Sequence, residues 1–222
     1  MLGCRPMTAT TATTATTDRP QTLGEEIANA ITHGLGVLLA LASLPVLVLH
    51  AAGPAAVVGA TLFASTMLLL YGVSTLYHAL PPGRAKRWFN RLDHAAIYVF
   101  IAGSYMPFAL GVLWGGWGWT LFGIVWALAA LGVAVKLADR LRHPLWSTAL
   151  YLAMGWVVLP ALPPLIRQVS TPGLAWLVAG GLAYTLGAVV FVFDSRWRYA
   201  HALWHLFVLG GSGCHVAAVL AA

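Results

Sequence analysis

Residues 200–222 read AHALWHLFVLGGSGCHVAAVLAA and contain no Asp, Glu, Lys or Arg. As an α-helix rising 1.5 Å per residue, such a run is long enough to cross a hydrocarbon core of about 30 Å. It nevertheless carries His201, His205 and His215. Whether it is a membrane span with imidazoles in it or the core helix of a soluble domain decides the fold. The rest of the chain answers: of 222 residues, 60% are hydrophobic and 8% charged, with a mean hydropathy of +0.82. Soluble domains carry about 25% charged residues. The chain reads as an all-α integral membrane protein.

Six further apolar runs precede this one, giving spans near 31–50, 55–78, 92–113, 117–137, 145–166, 173–193 and 200–222. Pro45, Pro107, Pro160 and Pro163 fall inside spans, where neighbouring helices and local adjustments tolerate them. Residues 1–22 are rich in Thr and Ala and lack the 7 to 15 residue apolar core of a signal peptide, so they read as a disordered tail ahead of a membrane domain at 23–222. Cys4 and Cys214 are the only cysteines and lie too far apart in context to suggest a disulfide framework.

The net charge of +6 does not point to nucleic acid, because nine of the twelve basic residues fall in three connections. Arg84, Lys86, Arg87 and Arg91 follow the second span, Lys136, Arg140 and Arg142 the fourth, and Arg196 and Arg198 the sixth. The positive-inside rule then puts these connections and the N-terminus in the cytoplasm and the C-terminus outside, in a cell membrane. Trp114, Trp117, Trp146 and Trp197 sit near span ends, as an aromatic belt requires.

Ionisable groups inside a bilayer are costly, so each one is a candidate for function. His78 ends the second span, Asp93 opens the third, and His201 and His205 open the seventh. The i,i+4 spacing of His201 and His205 stacks two imidazoles on one helix face, close enough to share a metal ion. Ser74 and His78 repeat that spacing. Because the second span ends on the side where the third and seventh begin, all these groups reach one depth. Three imidazoles from two helices suit a zinc ion with its fourth position open, the pattern of catalytic sites. Asp93 fits as a base or orienting group, with Ser74 a hydrogen-bonding neighbour; pairing of Asp93 with Arg91 or His94 is the structural alternative.

The other histidines read differently. His215 lies ten residues past His205, about 15 Å along the axis, and is expected to hydrogen-bond between helices. His50 and His143 sit at span or loop edges, where solvated imidazoles are ordinary. Glu26, Asn29 and His33 share a face of the segment entering the first span and are expected to form the polar face of an interfacial helix, with sealing of the cytoplasmic mouth as the alternative.

The stretches EEIANAITHGLG (25–36), STLYH (74–78), RLDHAAIYVFIAGSYMPF (91–108) and HALWHLFVLGGSGCH (201–215) together resemble the bacterial hemolysin III proteins, related to the progestin and adipoQ receptors. The resemblance covers residues 25–222. It implies a seven-helix fold with a cytoplasmic N-terminus and zinc held at His78, His201 and His205. In the wider superfamily, which includes alkaline ceramidases, positions matching Ser74 and Asp93 complete the site, and hydrolysis of a lipid amide is the implied chemistry. Met106 departs from the family pattern, and Gly210, Gly211 and Gly213 enrich the last span in small residues that would let a neighbouring helix approach.

Three functions compete. The site residues favour a zinc-dependent hydrolase of a membrane lipid amide or ester. The family name implies a pore-forming cytolysin or channel, although no ring of like charges lines the spans. A receptor-like sensor without chemistry would keep the metal and not need Asp93.

Overall fold

The computed structural model describes residues 19–140 and 144–222. Cys4, Arg142, His143 and residues 1–18 of the tail lie outside the described residues. Within them, seven helices are long and apolar enough to cross a membrane: α1 (Leu23–His50), α2 (Pro54–Ala79), α3 (Arg84–Val112), α4 (Gly116–Leu137), α5 (Leu145–Gln168), α6 (Thr171–Val192) and α7 (Ala200–Leu220). No strand occurs among the described residues.

Two helices begin earlier than the apolar pattern suggests. Helix α1 starts at Leu23, not near residue 31, because Thr22 and Glu25 form a reciprocal capping box there. Residues 19–22, assigned above to the tail, are ordered against this cap, with Arg19 paired to Glu25 and Gln21 accepting from Asn29. Helix α3 starts at Arg84, since hydrophobicity marks the bilayer and not the helix, which runs on through the basic segment.

The prolines mark departures from α geometry. Pro107 opens a π-helical stretch to Val112, closed by a bond from Leu113 N–H to the Phe108 carbonyl at 2.7 Å. Pro160 lies in a 3-10 stretch, Trp156–Ala161. Pro45 stays within α1.

Helix α3 is the central one, with 72% of its most apolar stretch buried against 17–44% for the others. It packs on α2, α4 and α5, while α1 and α6 both flank α7, so the last helix closes a ring with the first. Close approach depends on particular glycines. A Cβ at Gly59 would meet the Met106 carbonyl at 2.5 Å, and one at Gly211 would meet the Tyr184 ring. Gly210 and Gly213 face open space, so of the three small residues singled out in α7 only Gly211 serves packing. Trp114, Trp117, Trp146 and Trp197 are exposed at helix ends, as an interfacial belt requires.

Candidate metal centre

His78 stands one residue before the end of α2, and His201 and His205 occupy the first two turns of α7. Helical periodicity and the ring closure bring them together. One ligand atom from each lies within 4.8 Å of the others, and all three side chains are buried. Their ring centroids are 4.7 to 5.2 Å apart.

Each imidazole is held by its outer nitrogen. His78 Nδ1 stands 2.7 Å from Glu26 Oε2, His201 Nδ1 2.9 Å from Asp194 Oδ2, and His205 Nδ1 3.1 Å from Thr32 Oγ1. The carboxylates only accept. The Thr32 hydroxyl lies 2.9 Å from both the Ala28 and Asn29 carbonyls, and with its one hydrogen given to either it too accepts from the imidazole. All three protons therefore sit on Nδ1, and the three Nε2 lone pairs face inward. Those Nε2 atoms are buried and have no hydrogen-bond partner. Leaving a buried acceptor unsatisfied costs about 1–3 kcal/mol, and a single cation satisfies all three. Neutral imidazoles suit a divalent transition metal, so the residues present fit one.

Ser74, one helical turn before His78, and Asp93 are 0% and 2% exposed. They are near enough to interact, although the geometry falls short of a full hydrogen bond to Ser74 Oγ. His201 and Lys136 are the electrostatic neighbours of Asp93. Neither alternative partner claims it: Arg91 reaches Asp139 at 3.6 Å, and His94 Nδ1 bonds the Asn90 carbonyl at 2.8 Å.

Residues 21–216 match the family described as Haemolysin-III related. The chain belongs to the haemolysin III family. It is 45% identical to Hemolysin-3 of Bacillus cereus over 195 residues, 86% of this chain and 89% of that one. The Hemolysin-3 homolog of Bacillus subtilis (strain 168) is 44% identical over 202 residues, 90% and 94% of the two chains. Kinship extends to the human Monocyte to macrophage differentiation factor, 32% identical over 169 residues, 72% of this chain and 68% of that one. Like other haemolysin III proteins, this is a multi-pass membrane protein.

The face of α1 departs from expectation. Glu26, Asn29 and His33 do not form an interfacial polar face; they turn inward onto the histidine cluster. Asn29 and His33 are 0% and 1% exposed, Asn29 Nδ2 lies 3.4 Å from His78 Nδ1, and the His33 ring stacks on His205 with centroids 3.4 Å apart. The spacing was visible; the direction of the face depends on α7 closing against α1. Lys86 completes the outer layer, reaching Glu26 Oε1 at 3.0 Å and the Tyr77 and Leu80 carbonyls at the end of α2. Asp194 and Thr32 escaped the sequence reading altogether. For Asp194 the only signal was an acidic residue seven positions before a candidate ligand. His215 is not an interhelical hydrogen bonder either: its Nδ1 bonds the Gly211 carbonyl of its own helix at 3.0 Å. His50 is exposed at the end of α1, as expected.

A further carboxylate fastens the site's margin. Glu25, 2% exposed, takes both Arg19 guanidinium nitrogens, the Thr22 cap and the Tyr199 N–H at 3.0 Å. Tyr199 has a left-handed backbone, φ 59°, and is the residue from which α7 starts. The clasp therefore fixes where His201 begins its helix.

Two spaces adjoin the cluster. A cavity of about 370 Å³ runs between α3, α5, α6 and α7, lined by side chains such as Ile97, Phe100, Leu165 and Leu177 and reaching His33 and Trp204. Trp204 packs on His201 and His205, with centroids 4.9 and 5.2 Å away. Its other wall includes Leu159, Val178 and Leu182, which are exposed on the outer surface of the bundle. A more open space of about 390 Å³ lies between the ends of α1 and α2, with Glu26 and His78 on its wall.

Proposed function

We propose that the protein is a membrane-embedded, zinc-dependent hydrolase of a lipid amide or ester. The observation that carries this reading is the trio of inward, unpartnered Nε2 atoms, with the buried Asp93 carboxylate an electrostatic neighbour of His201 and an apolar cavity that reaches His33 and Trp204, whose rings pack on His205 and on both His201 and His205 respectively. A zinc ion at His78, His201 and His205 supplies Lewis-acid chemistry, acidifying a water and polarising a carbonyl. Asp93 accepts the proton of the attacking water and returns it to the leaving group, as general base and then acid. Ser74 hydrogen-bonds the same water or the substrate and restrains Asp93. Glu26, Asp194 and Thr32 hold the imidazole rings in one tautomer. The acyl chain occupies the apolar cavity, entering past Val178 and Leu182, while the space beside Glu26 and His78 admits water from the membrane surface.

The test is purification followed by zinc analysis and an assay against N-acyl and O-acyl lipids. Zinc near one per chain is expected, with hydrolysis lost in His205→Ala and in Asp93→Asn but metal kept in the latter. Protein that holds no metal without chelators present, or Asp93→Asn that retains full activity, overturns the reading. The names of the Bacillus relatives favour a second one, lysis through a pore. Against it, the main cavity has largely aliphatic and aromatic walls, which repel ions by dewetting. Ion flux through reconstituted protein that survives His78→Ala would support the pore.

A further inference from the structure

His33 is the buried imidazole whose chemistry the metal centre does not use. It is 1% exposed, and both its ring nitrogens are buried without a hydrogen-bond partner. The other buried histidines differ. His78, His201 and His205 each spend Nδ1 on a neighbour and reserve only Nε2, and the half-buried His94 and His215 bond backbone carbonyls. A neutral imidazole always carries one N–H, so His33 holds a buried donor that no protein group takes, which native structures rarely leave without a ligand or water to take it.

Its position says what that ligand is. The ring lies against His205, centroids 3.4 Å and planes 13° apart, and tilts against Tyr71 at 5.0 Å. Stacking covers the faces and leaves the edge, where the nitrogens are. His33 also lines the apolar cavity, so it stands where the cavity meets the triad. A molecule filling the cavity has an aliphatic chain, and the group it brings to this junction must accept a hydrogen bond.

We infer that His33 is a ligand-binding residue that donates its ring N–H to the acyl oxygen of a long-chain fatty-acyl ligand seated in the cavity. The inference rests on the lipid reading above and adds to it a residue on α1, a helix that contributes no metal ligand. It also narrows the ligand to one whose carbonyl or carboxylate lies at the junction, with the chain pointing away from the metal.

Purified metal-loaded protein is titrated with palmitate and with hexadecane, which has a chain of the same length and no hydrogen-bond acceptor. His33→Phe keeps an aromatic ring against His205 and removes the donor. It is expected to bind palmitate about 10- to 100-fold more weakly, the effect of deleting one hydrogen bond to a charged group, with metal content and hexadecane binding unchanged. His33→Gln restores a donor and recovers much of the palmitate affinity. Unchanged palmitate binding in His33→Phe overturns the inference while leaving the lipid reading standing. Loss of metal from that variant also overturns it, because His33 would then serve only to support His205. If His33→Phe does not fold, His33→Leu against His33→Gln makes the same comparison, and equal palmitate affinity in the two is the overturning result. Wild-type protein that binds neither probe removes the lipid reading, and the inference with it.

Discussion

Glu26 Oε2 lies 2.7 Å from His78 Nδ1, a charge-assisted bond that ties the first helix to the candidate metal ligand on the second. Partners of this kind orient a ligating imidazole and raise its basicity, and removing one lowers metal affinity about 10- to 100-fold. Glu26→Ala is therefore expected to weaken zinc binding by that factor in a competitive chelator titration. Glu26→Gln, which keeps an acceptor without the charge, should fall between.

Asp194 plays the same part for His201 but is more exposed, at 27% of its side chain against 19% for Glu26. Water replaces a lost partner more easily there. Asp194→Ala is expected to weaken zinc binding in the same direction by a smaller factor, read in the same titration.

Removing the metal leaves three acceptors buried and unsatisfied within 4.8 Å of one another. Chelation should lower the thermal midpoint in detergent, and restoring zinc to about 100 times its Kd should return about 2.7 kcal/mol by mass action. His205→Ala should show the low midpoint with or without zinc.

The Glu25 clasp predicts a different signature. Glu25→Ala leaves the Tyr199 N–H and the Thr22 cap without their shared acceptor, at a cost of about 1–3 kcal/mol. Because Glu25 touches no metal ligand directly, the thermal midpoint should fall while the metal dissociation constant moves less than in Glu26→Ala.

Packing offers a test of the fold free of any assumption about function. At Gly59 a methyl group would strike the backbone carbonyl of Met106, which cannot swing aside, so Gly59→Ala should destabilise by about 1–3 kcal/mol. Gly210 faces open space, and Gly210→Ala there should be neutral or slightly stabilising, since alanine is the better helix former. Thermal unfolding of the two variants side by side checks the pair.

The spans were legible because hydrophobicity over roughly 20 residues is a bilayer-scale signal that needs no tertiary context. His78, His201 and His205 were legible because spacing on two helices and the alternation of span direction place them at one depth. Asp194 and Thr32 were not, since acting as the outer partner of an imidazole leaves no periodic trace. The inward face of Glu26, Asn29 and His33 was misread for a related reason. A polar stripe on a terminal helix looks the same whether it meets water or a neighbouring helix, and only the contact of α1 with α7 decides between them.

That contact has a bearing on biosynthesis. The three imidazoles come from α2 and α7, their outer partners from α1 and the connection ahead of α7, and the clasp from Arg19 to Tyr199 joins the starts of the first and last helices. A nascent chain that has threaded six helices holds one imidazole of the three. A metal ion bound by all three would be captured only once the last helix is in place, and a chain that fails to insert that helix would stay empty.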